Sequence, residues 1–302
     1  MKIVEKLSQD RLAIFLFHGV VLKDDYRVRN YTRKHLPREV FFRHMKELKA
    51  HGTPMSMDQV VDHLRTRRPF GKGSFVVTFD DGFENNYSIA RPILKELKIP
   101  AAVYVTTGFI EDNSMSWIDR LEYCFEVARI SSVRLPWVQD AVSVATPAER
   151  RAALDSIRFH VKRDAAMDVD ALVSDIFRQS RMDEVKESRD PLDLKMSWGQ
   201  VAELGRDPDF IVGGHTHRHR IMSHLSAEEL AGEVDTSLGL LQRKAGISSR
   251  HYSYPEGLRH CYGEEVIAFL KGRGIVCCPT AEDGDNGLEE DLFHLKRIFV
   301  TS

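Results

Sequence analysis

Residues 74–82 read Ser74-Phe-Val-Val-Thr-Phe-Asp-Asp-Gly82, an apolar run that ends directly on two adjacent carboxylates and a glycine. The run 75–79 is too short for a helix, is rich in β-branched and aromatic residues and stops at turn formers, which predicts a buried strand. Working outward, six more runs of this kind occur, at 12–17, 101–106, 210–212, 251–254, 274–278 and 295–300. Helical periodicities lie between them: Val40, Phe41, Met45 and Leu48 before Gly52; Ala90, Ile93, Leu94 and Leu97; Leu230, Val234, Leu238 and Leu241. Ser226 and Glu229 form a capping-box pattern ahead of the last of these, and Gly246 can end it. Short buried strands alternating with amphipathic helices predict parallel βα units.

One stretch breaks the alternation. Between Trp117 and Trp198 no convincing strand is found, while 148–162 and 169–177 read as helices. A structureless loop of that length would be unusual, so the pattern predicts a helical insertion of about 80 residues. It leaves the strand pattern near Thr106 and Thr107, and is expected to border the active site or a subunit contact.

The 302 residues suffice for a barrel-sized α/β domain with an insertion to spare. Apolar residues are 42% and charged residues 29%, an ordinary globular balance, and a net charge of -2 is not that of a nucleic-acid binder. No run is long and apolar enough for a transmembrane segment, and the first residues lack the apolar core of a signal peptide. The expected location of the chain as given is cytoplasmic, or exported if an export signal has been trimmed. The four cysteines, Cys124, Cys261, Cys277 and Cys278, are sparse and have no zinc-finger spacing; Cys277 and Cys278, adjacent in an apolar run, read as buried strand residues.

The polar residues that stand out follow the apolar runs: His18, Asp80 and Asp81, Thr107, His215, and Pro255-Glu256-Gly257. On parallel strands of one barrel they would converge at the C-terminal mouth, where such folds carry their chemistry. Adjacent carboxylates repel unless a cation or donors relieve them. A metal would do so, with one Asp as ligand and the other free to take a proton from water. In His215-Thr-His-Arg-His219 the two outer imidazoles are four apart, which predicts one face of a helical turn and a shared metal, with His217 turned away. Two His and one Asp leave open positions, as hydrolytic centres require. Zinc is the expected metal, and Co2+, Ni2+ or Fe2+ suit the same donors.

Together these segments resemble the polysaccharide deacetylase family, whose shared domain is the NodB homology domain. Thr78-Phe-Asp-Asp-Gly82 matches its first motif and His215-Thr-His-Arg-His219 its His-Ser/Thr-x-x-His motif. Phe17-His-Gly-Val20 is similar to the Tyr-His-x-Val motif of the circularly permuted poly-N-acetylglucosamine deacetylase branch, where it replaces a C-terminal Leu-x-His. His294 precedes the last apolar run, which puts it at the opposite end of the barrel. The resemblance implies a single NodB-type domain over 1–302, a distorted (β/α) barrel of about seven parallel strands, with the insertion at about 117–198. It implies Asp81, His215 and His219 as metal ligands, Asp80 as catalytic base and a protonated His18 as acid. One departure concerns the third motif, where the family has Arg and this chain has Ser253; Arg297 is the candidate substitute. Another is Glu256 in place of an aromatic, although its backbone N–H could still serve as an oxyanion donor.

The expected function is therefore metal-dependent hydrolysis of N-acetyl groups on an N-acetylated carbohydrate, of N-acetylglucosamine type. Two alternatives stand beside it: an amidohydrolase of small imides, ureides or formamides, and an inactive carbohydrate-binding homologue. The expected partner is an N-acetylated saccharide, with no nucleic acid.

Overall fold

A computed structural model describes residues 2–187 and 189–301; Met1, Ser188 and Ser302, which fall within the span read as one domain, lie outside the described residues. The central sheet is parallel, with the strands in the spatial order Ile298–Phe299, Ala13–Phe17, Ser74–Phe79, Ala101–Val105 and Phe210–Gly214. Phe17 is in register with Phe79, Phe79 with Val103 and Val105 with Gly214, so these strands end within two residues of one another. Two irregular staves continue the curve through single parallel bridges, Gly214 to Tyr252 and His251 to Cys277. The ring then closes as the Thr280 N–H donates to the Leu295 carbonyl at 2.8 Å, just before Ile298–Phe299 returns to the first strand. The result is a distorted (β/α) barrel with seven staves, the two irregular ones each joined to the preceding stave by one bridge.

Strand alternation sorts the side chains. Ala13, Phe15, Phe17, Phe75, Val77 and Phe79 point outward and pack with Phe41, Met45 and Leu48 of the helix Arg38–His51. Ile14, Val76, Ala102, Tyr104, Cys277 and Leu295 fill the barrel interior. Interior packing stops at Thr78, and the polar groups begin there. The helix Ala227–Ala245 carries the capping box of Ser226 and Glu229 and ends on Gly246, whose φ of 71° suits a residue without a Cβ.

Residues 117–198 contain the helices Trp117–Val127, Pro147–Val161 and Val169–Gln179. They have a core of their own, built on Leu121, Phe125, Leu154, Ile157, Val173, Ile176 and Phe177. Each starts on a side-chain cap: Ser116, Thr146 with Glu149, and Asp168. The expectation that this stretch holds no strand is corrected in a small way. Ser132–Val133 and Val142–Ser143 form a two-residue antiparallel pair. It is too short to show in a periodicity, and the Arg150 guanidinium buttresses it by donating to the carbonyls of Val144, Ala128 and Ile130. Among the described residues no helix is long and apolar enough to cross a membrane.

Candidate metal centre and active site

Thr78 and Asp80 lie on the interior face of the strand Ser74–Phe79 and its continuation. The Thr78 hydroxyl donates to the Phe15 carbonyl, and the Asp80 N–H continues the ladder by donating to the Phe17 carbonyl at 3.1 Å. Strict alternation would send the next side chain to the outer face. Asp81 instead adopts a left-handed backbone with φ of 73°, followed by Gly82 at 83°. Asp tolerates that conformation, and a Cβ at Gly82 would press on Ile110 Cδ1 at 3.0 Å. The kink keeps both carboxylates at the mouth, where Asp80 is 3% and Asp81 7% exposed.

His215 and His219 do meet Asp81, although not on a helical face. Residues 215–219 form an irregular turn with Thr216 at φ 59° and His219 at φ 57°. A helix is prevented because the turn is tied from outside. Glu233 accepts the N–H groups of His217 and Arg218 at 2.9 and 2.7 Å, and the Tyr252 hydroxyl accepts that of Thr216. Gly214 is required by contact, since a Cβ there would lie 2.3 Å from the Tyr252 ring. His219 Nε2 lies 3.3 Å and His215 Nε2 3.6 Å from Asp81 Oδ1. His217 points elsewhere, its Nδ1 lying 3.1 Å from the Thr107 hydroxyl.

These three residues fit a divalent cation. One donor atom from each lies within 4.8 Å of the others. His215 Nδ1 is 2.8 Å from the Ser253 carbonyl, which accepts its proton and leaves Nε2 with a free lone pair. Burial holds His215 below its ordinary pKa, so the ring is in its neutral, ligating form. Asp81 Oδ1 is buried with no hydrogen-bond donor, a costly state for a carboxylate oxygen unless a cation meets it. Burial would push the Asp81 carboxyl up, but His219, His18, His215 and Lys34 outweigh it and keep the group ionised.

Asp80 faces a different partner. Arg297, 0% exposed, clamps it with two charge-assisted bonds, Nη1 to Oδ1 at 2.8 Å and Nη2 to Oδ2 at 2.7 Å. Arg297 Nη2 also donates to the Ser253 hydroxyl at 2.9 Å, and Nε donates to the Thr280 carbonyl. The arginine missing from position 253 is thus replaced in space by one from the last stave. Burial works to raise the Asp80 pKa, but the Arg297 charge prevails and lowers it.

His18, half-buried, follows the first strand. Asn86 Nδ2 donates to its carbonyl at 2.8 Å, and its ring meets Phe299 edge-on at 5.3 Å. Burial lowers its pKa to about 4 against the pull of Asp81 and Asp80. This setting favours a neutral resting ring over the protonated acid expected of His18, because desolvation outweighs two carboxylates. His294 sits with Asp291 and Tyr262, apart from these groups. Glu256 has φ of 60°, and its carboxylate pairs with Lys162 at the end of the helix Pro147–Val161.

A cleft of about 600 Å³ runs out from His219 and Glu256. Gly108, Phe109 and Arg218 line its barrel side; Met115, Trp117, Lys162 and Met167 line its other side. The helices of 117–198 thus border the mouth that holds the candidate site. Sequence reading missed Glu233, Asn86 and the buried trio of Lys34, Asp119 and Lys195. The one available signal was Asp119 and Glu122 interrupting the apolar face of Ile118, Leu121 and Phe125.

The polysaccharide deacetylase family matches residues 67–275, a span that includes both motifs but neither His18 nor Arg297. A poly-beta-1,6-N-acetyl-D-glucosamine N-deacetylase of Staphylococcus aureus is 29% identical over 94 residues. That match covers 31% of this chain and 31% of the relative, so the chain spans about a third of the length of the curated relatives it matches. Among solved structures, the Streptococcus pyogenes deacetylase PplD in complex with acetate aligns with a TM-score of 0.63 at 15% identity, over 96% of this chain and 92% of that one. IcaB from Ammonifex degensii aligns with a TM-score of 0.60 at 16% identity, over 97% and 93%. At these identities the likeness is one of fold.

Proposed function

Since the chain belongs to the polysaccharide deacetylase family, we propose that it hydrolyses N-acetyl groups from an N-acetylglucosamine-type carbohydrate, using a divalent metal. The observation that carries this reading is the pairing of roles at one mouth. An unsatisfied carboxylate oxygen faces two imidazoles, and a second carboxylate beside them is held ionised by an arginine. We further read the chain as one catalytic domain in which 117–198 is an insertion.

Asp81, His215 and His219 would hold the metal, Zn2+ being the first choice for such donors. Bound there, it would supply Lewis-acid polarisation of an acetamide carbonyl and of a water molecule. Asp80 is the base that takes a proton from that water as it adds to the carbonyl carbon. Arg297 fixes the carboxylate and keeps it unprotonated for this step. The Glu256 backbone N–H is the proposed donor to the oxyanion. The C–N bond then breaks, and the amine must gain a proton as it leaves. Because the resting His18 is neutral, that proton is the one Asp80 has just taken, relayed through the imidazole. The products are acetate and a free amino sugar.

His215→Ala should remove the metal. Elemental analysis of the purified proteins would show about one equivalent in the wild type and far less in the variant; equal content would refute the ligand set. His18→Ala should lower kcat by about a hundredfold, as loss of general acid catalysis does, with metal content kept. With a resting pKa near 4, His18 does not titrate between about pH 6 and 9. The loss should therefore be a constant factor over that range, while His294→Ala should be silent. A crippled His294→Ala beside a silent His18→Ala would reverse the assignment.

A further inference from the structure

Behind Asp81 the floor of the mouth holds two lysines that are almost fully buried, Lys34 and Lys195. Their ammonium groups stand 5.2 and 3.6 Å from the centroid of the Phe83 ring, two residues beyond Asp81. Both lie close enough to act on the Asp81 carboxylate. Two buried positive charges are a poor setting for a dication, since like charges in a low dielectric repel strongly.

The compensation comes from the insertion. Asp119, in the helix Trp117–Val127, is 3% exposed and accepts from Lys34 Nζ at 2.5 Å. Its other oxygen lies 4.0 Å from Lys195 Nζ and accepts from the Ser116 hydroxyl at 2.8 Å. Other acids contribute less: the Asp193 carbonyl accepts from Lys195 Nζ at 3.1 Å, and the charges of Asp193 and Glu122 act on Lys195 and Lys34 more weakly than that of Asp119, each having a further partner. Asp193 and Asp190 pair with Arg29. Glu122 accepts the Asn30 N–H at 2.8 Å and faces Arg158 at 3.9 Å.

We propose that Asp119 is a positioning residue for the metal centre: the insertion lends the carboxylate that neutralises Lys34 and Lys195, so that Asp81, His215 and His219 can accept a divalent cation. This rests on the metal-site reading above. It gives the insertion an electrostatic task in addition to lining the cleft, and it explains why charged groups are buried where the insertion meets the barrel.

The test is the Zn2+ affinity of metal-stripped protein, read by competition with a chromophoric chelator. Wild type would be compared with Asp119→Asn, Lys34→Met and the double variant, each checked for folding by circular dichroism. Asp119→Asn should bind Zn2+ about tenfold or more weakly, because an uncompensated cation remains beside Asp81. Lys34→Met should bind it more tightly, and the double variant should return to within about threefold of wild type, the coupling expected of groups in contact. A folded Asp119→Asn with wild-type affinity, or a double variant as weak as Asp119→Asn, would overturn the proposal. If Asp119→Asn fails to fold, Lys34→Met decides: tighter Zn2+ binding supports the proposal, and unchanged or weaker binding overturns it. If His215→Ala binds Zn2+ as wild type does, the metal assignment itself fails and this proposal falls with it. If only the Asp119 series departs from expectation, this proposal falls alone.

Discussion

Asp80→Asn will keep its metal and lose turnover by a hundredfold or more, on the order of what removing a general base costs. Asn matches Asp in size, so the interior packing and the strand end at Phe79 should persist. The amide still offers an oxygen to Arg297, but it has no basic electron pair for the proton of water. The metal should stay because Asp80 is not among the proposed ligands: His215 and His219 come closer to Asp81 Oδ1, at 3.6 and 3.3 Å, than His215 does to Asp80 Oδ2, at 3.9 Å. Steady-state kinetics with metal analysis on the same preparation separates the two effects. Near-normal turnover would place the base elsewhere, and loss of metal would make Asp80 a ligand.

Arg297→Met will affect both stability and chemistry. The guanidinium is fully buried and shares two bonds with Asp80, so its removal strands a buried carboxylate. Breaking one side of such a pair typically costs about 3–5 kcal/mol. In the wild type the lowered Asp80 pKa contributes stability that is present above the unfolded-state value and is lost as pH falls through the folded one. Without Arg297, burial acts on Asp80 with its largest opposing charge gone. The carboxyl should then titrate at higher pH, moving the acidic limb of the kcat/KM profile upward and reducing activity at neutral pH. Arg297→Lys, which keeps the charge but loses the fork, should fall between the two. Denaturant melts and pH profiles measure each part. An unmoved acidic limb in a folded Arg297→Met would detach the arginine from the base.

How far this could be read in advance follows from the range of the forces involved. The strand at 75–79 and its paired carboxylates were legible because burial and turn chemistry are local. So were four others of the central sheet, but not Thr53–Pro54, whose two residues pair with Ser74 and Phe75 and are too few to show a pattern. The runs at 251–254 and 274–278 carry strand composition yet form only single bridges. Ser253 gives its carbonyl to His215 and its hydroxyl to Arg297 rather than to a regular ladder. The spacing of His215 and His219 pointed to a shared ligand pair, but the helical reason for it was wrong. Glu233 and Tyr252, distant in sequence, bend those residues into a turn. Arg297 could be suspected only through the gap at Ser253, since 217 positions separate it from Asp80. The burial that lowers the His18 pKa was not legible at all, because a motif carries no measure of desolvation.

The central claim, metal-dependent hydrolysis of N-acetyl groups, is tested most directly by acetate release from N-acetylglucosamine oligosaccharides. The chain would be assayed after metal removal and again after reloading with Zn2+ or Co2+. The account predicts no acetate from the stripped protein, release on reloading, and no recovery in His215→Ala. Acetate release that ignores the metal would contradict it, as would a reloaded enzyme that leaves these saccharides intact while hydrolysing cyclic imides.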